Sequence, residues 1–334
     1  MILPGSDPAA IEAAAQALAR GELIGLPTET VYGLGADADN PRAVAQVFAA
    51  KGRPSDHPLI VHVTDASQAE RYAHPIPQVA RRLMAAHWPG PLTLILPRRP
   101  GIADASAGGQ HSIGLRCPSH PVAQAVLRAA QHVGVQGVSA PSANRFGRVS
   151  PTSAQHVLDE LGHGLLVLDG GACEVGIEST IIDCSREHPV LLRPGMLSVE
   201  VLSESAGEPV LTPEAFAHLN PTASAPRASG TLASHYAPMA RVHLLPRTAL
   251  QGRLDTLAHD AERNRYGVWS RSPLRRPAGV IHRPMPLSAV ECAHVLFAEL
   301  RAFDRLGVQD ILVEMPPEGP AWDGVRDRLT RAAA

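Results

Sequence analysis

Two short segments carry the residue types of a polyphosphate site: Lys51-Gly52-Arg53-Pro54 and, about ninety residues on, Ser139-Ala140-Pro141-Ser142-Ala143-Asn144. The first sets two fixed cations at i and i+2, where a helix should end. Arginine offers a planar fork of donors and lysine a compact point charge. The second places hydroxyls and an amide on a turn of small residues after an apolar strand. Ser and Asn add neutral donors, and small neighbours let backbone approach a ligand closely. Together these groups suit a site that holds a polyphosphate and stabilises the charge that moves during its transfer.

Further polar groups recur at strand ends. Thr28-Glu29-Thr30-Val31-Tyr32-Gly33-Leu34 crowds hydroxyls, a carboxylate and a phenol at the exit of the first apolar strand. An ordinary turn with local side-chain to backbone bonds accounts for it equally well. His57 and His62 follow the cation pair. A lone His on an apolar strand, as His62 is, is more often a satisfied core residue than a ligand contact. Ser112 and Arg116 bracket another strand. Burying an arginine without a partner is costly, so Arg116 is expected to face an anion or a carboxylate. Hydroxyls adjoin in Glu178-Ser179-Thr180, and Arg193-Pro194-Gly195 closes a strand. Their recurrence within one domain favours a functional reading. The chain has no P-loop, no G-x-S-x-G elbow, no H-E-x-x-H and no G-x-G-x-x-G.

The elements that position these groups alternate. Asp7 to Arg20 has helical spacing, and Asn40-Pro41 caps and opens a second helix that ends at Gly52. Helices are expected at about 77–87, 120–132 and 153–161. Strands are expected at Leu23–Pro27, Leu59–Val63, Leu92–Leu96, Ile113–Arg116, Val135–Ala140, Leu165–Leu168, Ser179–Asp183 and Val190–Arg193. This pattern predicts an α/β domain over 1–202; a twisted mixed sheet with helices and a concave basic pocket is what the family resemblance given below implies. Residues 203–239, with scattered Pro, Ser, Gly and Ala, read as a linker or lid. Residues 240–334 form a second pattern, strand 241–245, helix 249–263, strands 266–269 and 279–282, helix 288–306, strand 310–314 and helix 322–333. That is a smaller Rossmann-like α/β domain.

Composition narrows the function classes. The 334 residues carry a formal charge of −2, 45% apolar and only 4% aromatic residues. Nothing global marks a dedicated nucleic-acid binder, which shows a basic stripe or aromatic platform. Cys117, Cys173, Cys184 and Cys292 fit neither a zinc site nor a disulfide framework, so reduced thiols in the cytoplasm are expected. No signal peptide is indicated at the N-terminus, and no apolar run approaches a membrane span.

The motifs above, with Trp88-Pro89-Gly90-Pro91-Leu92-Thr93, occur in an order that resembles the Sua5/YrdC/YwlC family of L-threonylcarbamoyladenylate synthases. Ser234-His235-Tyr236-Ala237-Pro238 and the second domain are similar to the longer, Sua5 type. The resemblance implies a nucleotidyltransferase that turns L-threonine, bicarbonate and ATP into threonylcarbamoyl-AMP and pyrophosphate. The product feeds N6-threonylcarbamoylation of adenosine 37 in tRNA by a downstream transferase complex. Carboxylation of threonine supplies the nucleophile, so no activated protein nucleophile is required, only orientation and charge neutralisation.

By the same resemblance, Lys51, Arg53, Ser142 and Asn144 form a catalytic tetrad. Thr30, His62, Arg116, Ala140 and Ser179 hold threonine, Arg116 through its carboxylate. Arg53, His57, Ser112, Ser142, Ser150, Arg193 and Tyr236 contact ATP, with Tyr236 on a lid over the mouth. No protein metal ligand is implied; Mg²⁺ arrives on the ATP phosphates, held by substrate oxygens and water. Two departures stand out. Position 57 is His where the family commonly has Asn, and Ala228-Ser229-Gly230-Thr231-Leu232 replaces the usual Ser-Pro-Gly-Met. Two alternatives come from other classes. One is a module with weak tRNA or double-stranded RNA affinity, read by shape and phosphate. The other is a carbamoyl-transfer enzyme of the hydrogenase-maturation type, whose zinc-finger cysteines and acylphosphatase segment are not found here.

Overall fold

The computed structural model describes residues 1–220, 226–230, 234–260 and 262–334. It divides into two compact units, Met1–Phe146 with Ser150–Thr231, and Gly147–Val149 with Leu232–Ala334. Thr231 and Leu232 of the small-residue run, and part of the 203–239 linker, lie outside the described residues.

The first unit is built on a ten-stranded mixed sheet. Its strands are β1 (Ile2–Pro4), β2 (Ile24–Leu26), β3 (Gly33–Asp37), β4 (Ile60–His62), β5 (Leu92–Pro97), β6 (Ser112–Arg116), β7 (Val138–Ser139), β8 (Leu166–Asp169), β9 (Thr180–Asp183) and β10 (Val190–Arg193). They run in the order β1-β8-β2-β3-β7-β4-β6-β5-β9-β10. The helices are α1 (Pro8–Ala19), α2 (Pro41–Lys51), α3 (Ala66–Tyr72), α4 (Gln78–His87), α5 (Pro121–His132), α6 (Ala154–Leu161), α7 (Val199–Ala206) and α8 (Pro213–Leu219).

Alternation along the strands separates core from site. Leu92, Leu94, Leu96, Ile113, Leu115 and Ile182 face one side and join the largest apolar cluster with Val79, Leu83 and Met84 of α4. Successive side chains point to opposite faces, so Thr93, Ile95, Ser112, Gly114, Arg116 and Ile181 share the other face. Gly114, with no side chain, leaves the middle of that face open. The register sets the polar ends side by side: His62 of β4 opposite Arg116 of β6, and Thr93 of β5 opposite Arg116.

Local chemistry fixes α2, which delivers the cations. The Asn40 side chain accepts from the Arg42 and Ala43 N–H groups, and Pro41 occupies the first turn. Gly52 closes the helix in the left-handed region at φ 62°, a conformation glycine adopts without steric penalty. That turn sends Arg53 away from the helix axis while Lys51 remains its last residue.

One expectation changes. Part of 203–239 is ordered as helix, with α7 capped by Ser198 and α8 by Thr212. Leu202, Ala206 and Phe216 bury their apolar side chains, too few apolar positions to give a readable period from sequence. Helix α3 and strands β1 and β3 also went unread, being short or, in β3, rich in Gly and Ala.

The second unit is a four-stranded parallel sheet. Its strands are β11 (Arg241–Leu245), β12 (Tyr266–Ser270), β13 (Ile281–Pro284) and β14 (Asp310–Glu314), in the order β11-β14-β12-β13. It carries α9 (Arg247–Leu257), α10 (Ala289–Arg305) and α11 (Asp323–Ala332), close to the expected pattern. Among the described residues no helix is long and apolar enough to cross a membrane.

Candidate active site

The open face of the first unit's sheet gathers most of the residues singled out from sequence. At the carboxyl ends of β4 and β6 lie His62 and Arg116, 2% and 4% exposed. The Arg116 guanidinium donates to Thr30 Oγ1 at 2.8 Å and lies 2.8 Å from Glu29 Oε1. Thr28 Oγ1 in turn sits 3.0 Å from Thr30 Oγ1. The polar loop after β2 therefore folds onto the arginine. Burial, the largest single influence, would raise the Glu29 carboxyl, but the Arg116 charge and hydrogen bond together with backbone N–H groups outweigh it and hold the group below the usual carboxylate range. Glu29 is thus the carboxylate that Arg116 required. Sequence reasoning quoted Glu29 without giving it a role; the demand of a buried arginine was the signal for it.

His62 is uncharged. Burial, reinforced by the Arg116 charge, pushes its imidazole down to about 3. Its Nδ1 is buried and has no hydrogen-bond partner among the described residues. A buried polar atom without a partner is costly unless a ligand or water supplies one.

A second cluster surrounds Ser179. Its hydroxyl is 2.7 Å from Thr93 Oγ1 and accepts from Arg193 Nη2 at 3.1 Å. Arg193 Nε also donates to the Ser179 carbonyl at 3.0 Å. Thr93 was not among the expected site residues. It shares its face with Arg116 by strand alternation, which the sequence pattern alone could have shown.

The third cluster holds the cations of the first motif. Lys51, 3% exposed, donates through Nζ to the Ser142 carbonyl and, at 2.5 Å, to the Asn144 carbonyl. The Ser142 loop is pinned to β3 by Leu34 N–H to Pro141 O at 2.8 Å and Ala143 N–H to Tyr32 O at 2.8 Å. The Ala140 N–H donates to Ile60 O at 3.0 Å, so its amide is used within the sheet. Arg53 donates to Pro58 O at 2.9 Å and lies 5.8 Å from the Phe146 ring centroid. His57 packs edge-on against the same ring at 5.5 Å. Burial and the neighbouring Arg53 charge lower the His57 imidazole below its ordinary value. Ser150 donates to Glu178, another buried carboxylate not foreseen as part of the site.

The chain segment 226–230 lies over this face. Arg227, Ala228 and Ser229 line one narrow cleft with Leu59, Ser112 and Ile181. Ser229 Oγ accepts from Arg53 Nη2 at 3.0 Å and donates to Pro58 O at 3.1 Å. The Ser229 carbonyl accepts from Arg193 Nη1 at 2.8 Å. Gln110 exchanges two hydrogen bonds with the Arg227 backbone, at 2.7 and 3.2 Å. One short stretch therefore engages two guanidinium groups that the motifs suggested for phosphate.

Tyr236 belongs to the second unit. Its ring lies 4.2 Å from His235 and 5.4 Å from Phe297, with the Arg328 guanidinium 5.4 Å from its centroid. Among the described residues no group of three or more His, Cys, Asp and Glu could hold a metal ion.

A sheet face that gathers buried cations, a buried imidazole and several hydroxyls on an α/β fold has the groups to hold an anionic ligand. The Sua5_yciO_yrdC family, described as "Telomere recombination", matches residues 16–195, and the Sua5_C family, described as "Threonylcarbamoyl-AMP synthase, C-terminal domain", matches residues 197–334. The chain belongs to the Sua5/YciO/YrdC family. A threonylcarbamoyl-AMP synthase of Pyrococcus abyssi is 37% identical over 97% of this chain and 94% of its own. One of Bacillus subtilis is 37% identical over 99% and 94%. The crystal structure of P. abyssi Sua5 complexed with L-threonine superposes with a TM-score of 0.86 at 34% identity, covering 98% of this chain and 95% of that one. E. coli YciO, at 24% identity and a TM-score of 0.52 over 60% of this chain, shares the fold.

Proposed function

We infer that the chain makes threonylcarbamoyl-AMP and pyrophosphate from L-threonine, bicarbonate and ATP. The activity is the one named for relatives that match nearly the whole chain. One observation within the molecule carries the reading: Arg116, Thr30 and His62, all buried, stand together, with Arg116 donating to Thr30 and paired across the strands with His62. This is the equipment to hold an amino acid. The Arg116 guanidinium takes the carboxylate, sharing its charge with Glu29. Thr30, Ser179 and the neutral His62 offer hydrogen bonds to the amine and hydroxyl.

The chemistry then needs positioning more than a protein nucleophile. The threonine amine adds to the carbon of bicarbonate-derived CO₂ and loses a proton, giving a carbamate. A carbamate oxygen attacks the α-phosphorus, the bond to the bridging oxygen breaks, and pyrophosphate leaves. Arg53 and Arg193, with Ser142, Ser150 and Asn144, face the phosphates. They neutralise charge that shifts onto the leaving group. His57 and Ser112 border the nucleotide. This makes the enzyme a nucleotidyltransferase. The donors are cations, hydroxyls and amides, which suits Mg²⁺ entering as MgATP on the phosphate oxygens. The labile product passes to a threonylcarbamoyl transferase acting on tRNA, and free buried thiols accord with the cytoplasm.

The test is pyrophosphate release from MgATP by the purified protein, with and without L-threonine and bicarbonate. Release that needs both co-substrates is expected. Release indifferent to threonine would mean that the pocket serves another acceptor.

A further inference from the structure

Lys51 is the only lysine in a chain whose lysines and arginines total 30. Every other fixed cation is arginine, which stays charged in proteins, whereas a buried lysine can lose its proton. This one lysine stands at a fully enclosed position, at the end of α2 behind the Ser142 loop.

Its surroundings match an uncharged amine. An ammonium carries three N–H donors, but Lys51 Nζ has two acceptors among the described residues, the carbonyls of Ser142 and Asn144. A neutral amine has two N–H groups, so these carbonyls satisfy it and leave its lone pair free. Both acceptors are uncharged, and among the described residues no carboxylate pairs with it. The charged groups that act on it are Arg53, two residues along, Glu160 on α6 and Glu178 ahead of β9. Glu178 is already engaged by the Ser150 hydroxyl, and Glu160 accepts from the Arg145 N–H at 3.3 Å. Burial first, then the like charge of Arg53, push the amine down to about 7, against the weaker pull of the two carboxylates.

We propose that Lys51 exchanges between ammonium and uncharged amine near neutral pH and becomes fully protonated when a polyphosphate enters beside Arg53 and Ser142, so that anion binding and protonation of this side chain are linked. The proposal rests on the nucleotide reading given above. The negative charge of the polyphosphate opposes the field set by Arg53, and an added negative charge favours the protonated form. Loss of the Lys51 proton spares this buried corner a second full positive charge beside Arg53. The full positive charge appears only when phosphate arrives to meet it. Arginine in this place would hold its charge in both states.

The single lysine makes the test direct. Protein labelled with ¹⁵N-lysine gives one Nζ resonance, and its pH titration reads this amine alone. The free protein is expected to titrate near 7. Saturating Mg²⁺ and α,β-methylene-ATP should move the midpoint up by more than one pH unit. Calorimetry at pH 7 in buffers of different ionisation enthalpy should show uptake of about half a proton per nucleotide. Lys51→Met and Lys51→Arg should abolish that uptake. A free-protein midpoint near 10, or no shift with nucleotide bound, overturns the proposal while leaving pyrophosphate release and the functional reading intact. A midpoint near 7 with no nucleotide binding overturns the linkage and the functional reading together, and leaves the exchange near neutral pH standing.

Discussion

Arg116 Nη2 lies 2.8 Å from Glu29 Oε1, and the two side chains are 5% and 4% exposed. The pair joins the end of β6 to the loop after β2, and in the function proposed above Arg116 also takes the threonine carboxylate. In such a site the arginine has two duties. It keeps Glu29 compensated in the empty pocket, and it leaves donors for substrate.

Removing one partner of a buried ion pair strands the other charge, at about 3–5 kcal/mol. Arg116→Ala is therefore expected to lower stability by that amount and to weaken kcat/KM for threonine roughly 10- to 100-fold, the worth of a hydrogen bond to a charged group. Adding Glu29→Gln should restore most of the stability and none of the threonine binding. Urea unfolding and pyrophosphate release on the four variants of the cycle separate the two duties. If the double variant recovers activity, Arg116 serves the fold alone.

The site was legible where a residue's need could be stated from chemistry. A strand arginine needs an anion, and Arg116 has Glu29. A helix ending in Lys-Gly-Arg needs glycine at a left-handed turn, and Gly52 makes it. Strand alternation would have added Thr93 to the face of Arg116. The rest depended on pairing in space. Nothing local in Ser229 says that it meets both Arg53 and Arg193, since the partners are 176 and 36 residues away. Likewise α7 and α8 lie in a stretch of small and polar residues whose few apolar positions gain meaning only against the partners they bury beside. The second unit was easier, because its short apolar strands alternate in sequence with helices as long as the 17 residues of α10.

Ser229 occupies guanidinium donors that phosphate would use. Its hydroxyl and carbonyl accept from Arg53 and Arg193, contacts that the proposed function would exchange for nucleotide oxygens. Ser229→Ala removes the hydroxyl contacts to Arg53 and Pro58. Each such hydrogen bond is worth about 0.5–1.5 kcal/mol net, so the Kd for MgATP should fall about 2- to 10-fold. Calorimetric titration measures it. A rise in Kd would show instead that Ser229 is part of the surface that holds the nucleotide.

Tyr236 takes a positive φ of 65° and is 1% exposed. Its ring covers Arg328, which is wholly buried and paired with Asp327 at 2.9 Å. A left-handed backbone at a bulky residue is uncommon, and here Phe297 and Arg328 hold the side chain in place. Tyr236→Ala should cost about 3–5 kcal/mol, the range for losing a buried aromatic ring. Hydrogen exchange should quicken in α10 and α11 and stay unchanged in β4 to β6. Uniform loss of protection in both units would refute a role confined to the second.

The Lys51 amine also predicts how stability varies with pH. Its value in the folded protein, about 7 against 10.5 for the free side chain, means that the unfolded chain binds the extra proton between those limits. Stability rises with pH wherever the unfolded state holds more protons. Below pH 7 both states are charged, and the full cost of burying the ammonium is present. As pH climbs from 7 towards 10.5 the folded protein has already shed the proton, and that cost is progressively relieved. Lys51→Met lacks the titration, so the stability of the parent chain relative to this variant should increase steadily from pH 7 to 9.5. Denaturant unfolding of both proteins across that range measures the difference, in which other titrating groups cancel. A flat difference would mean that Lys51 keeps its proton on folding.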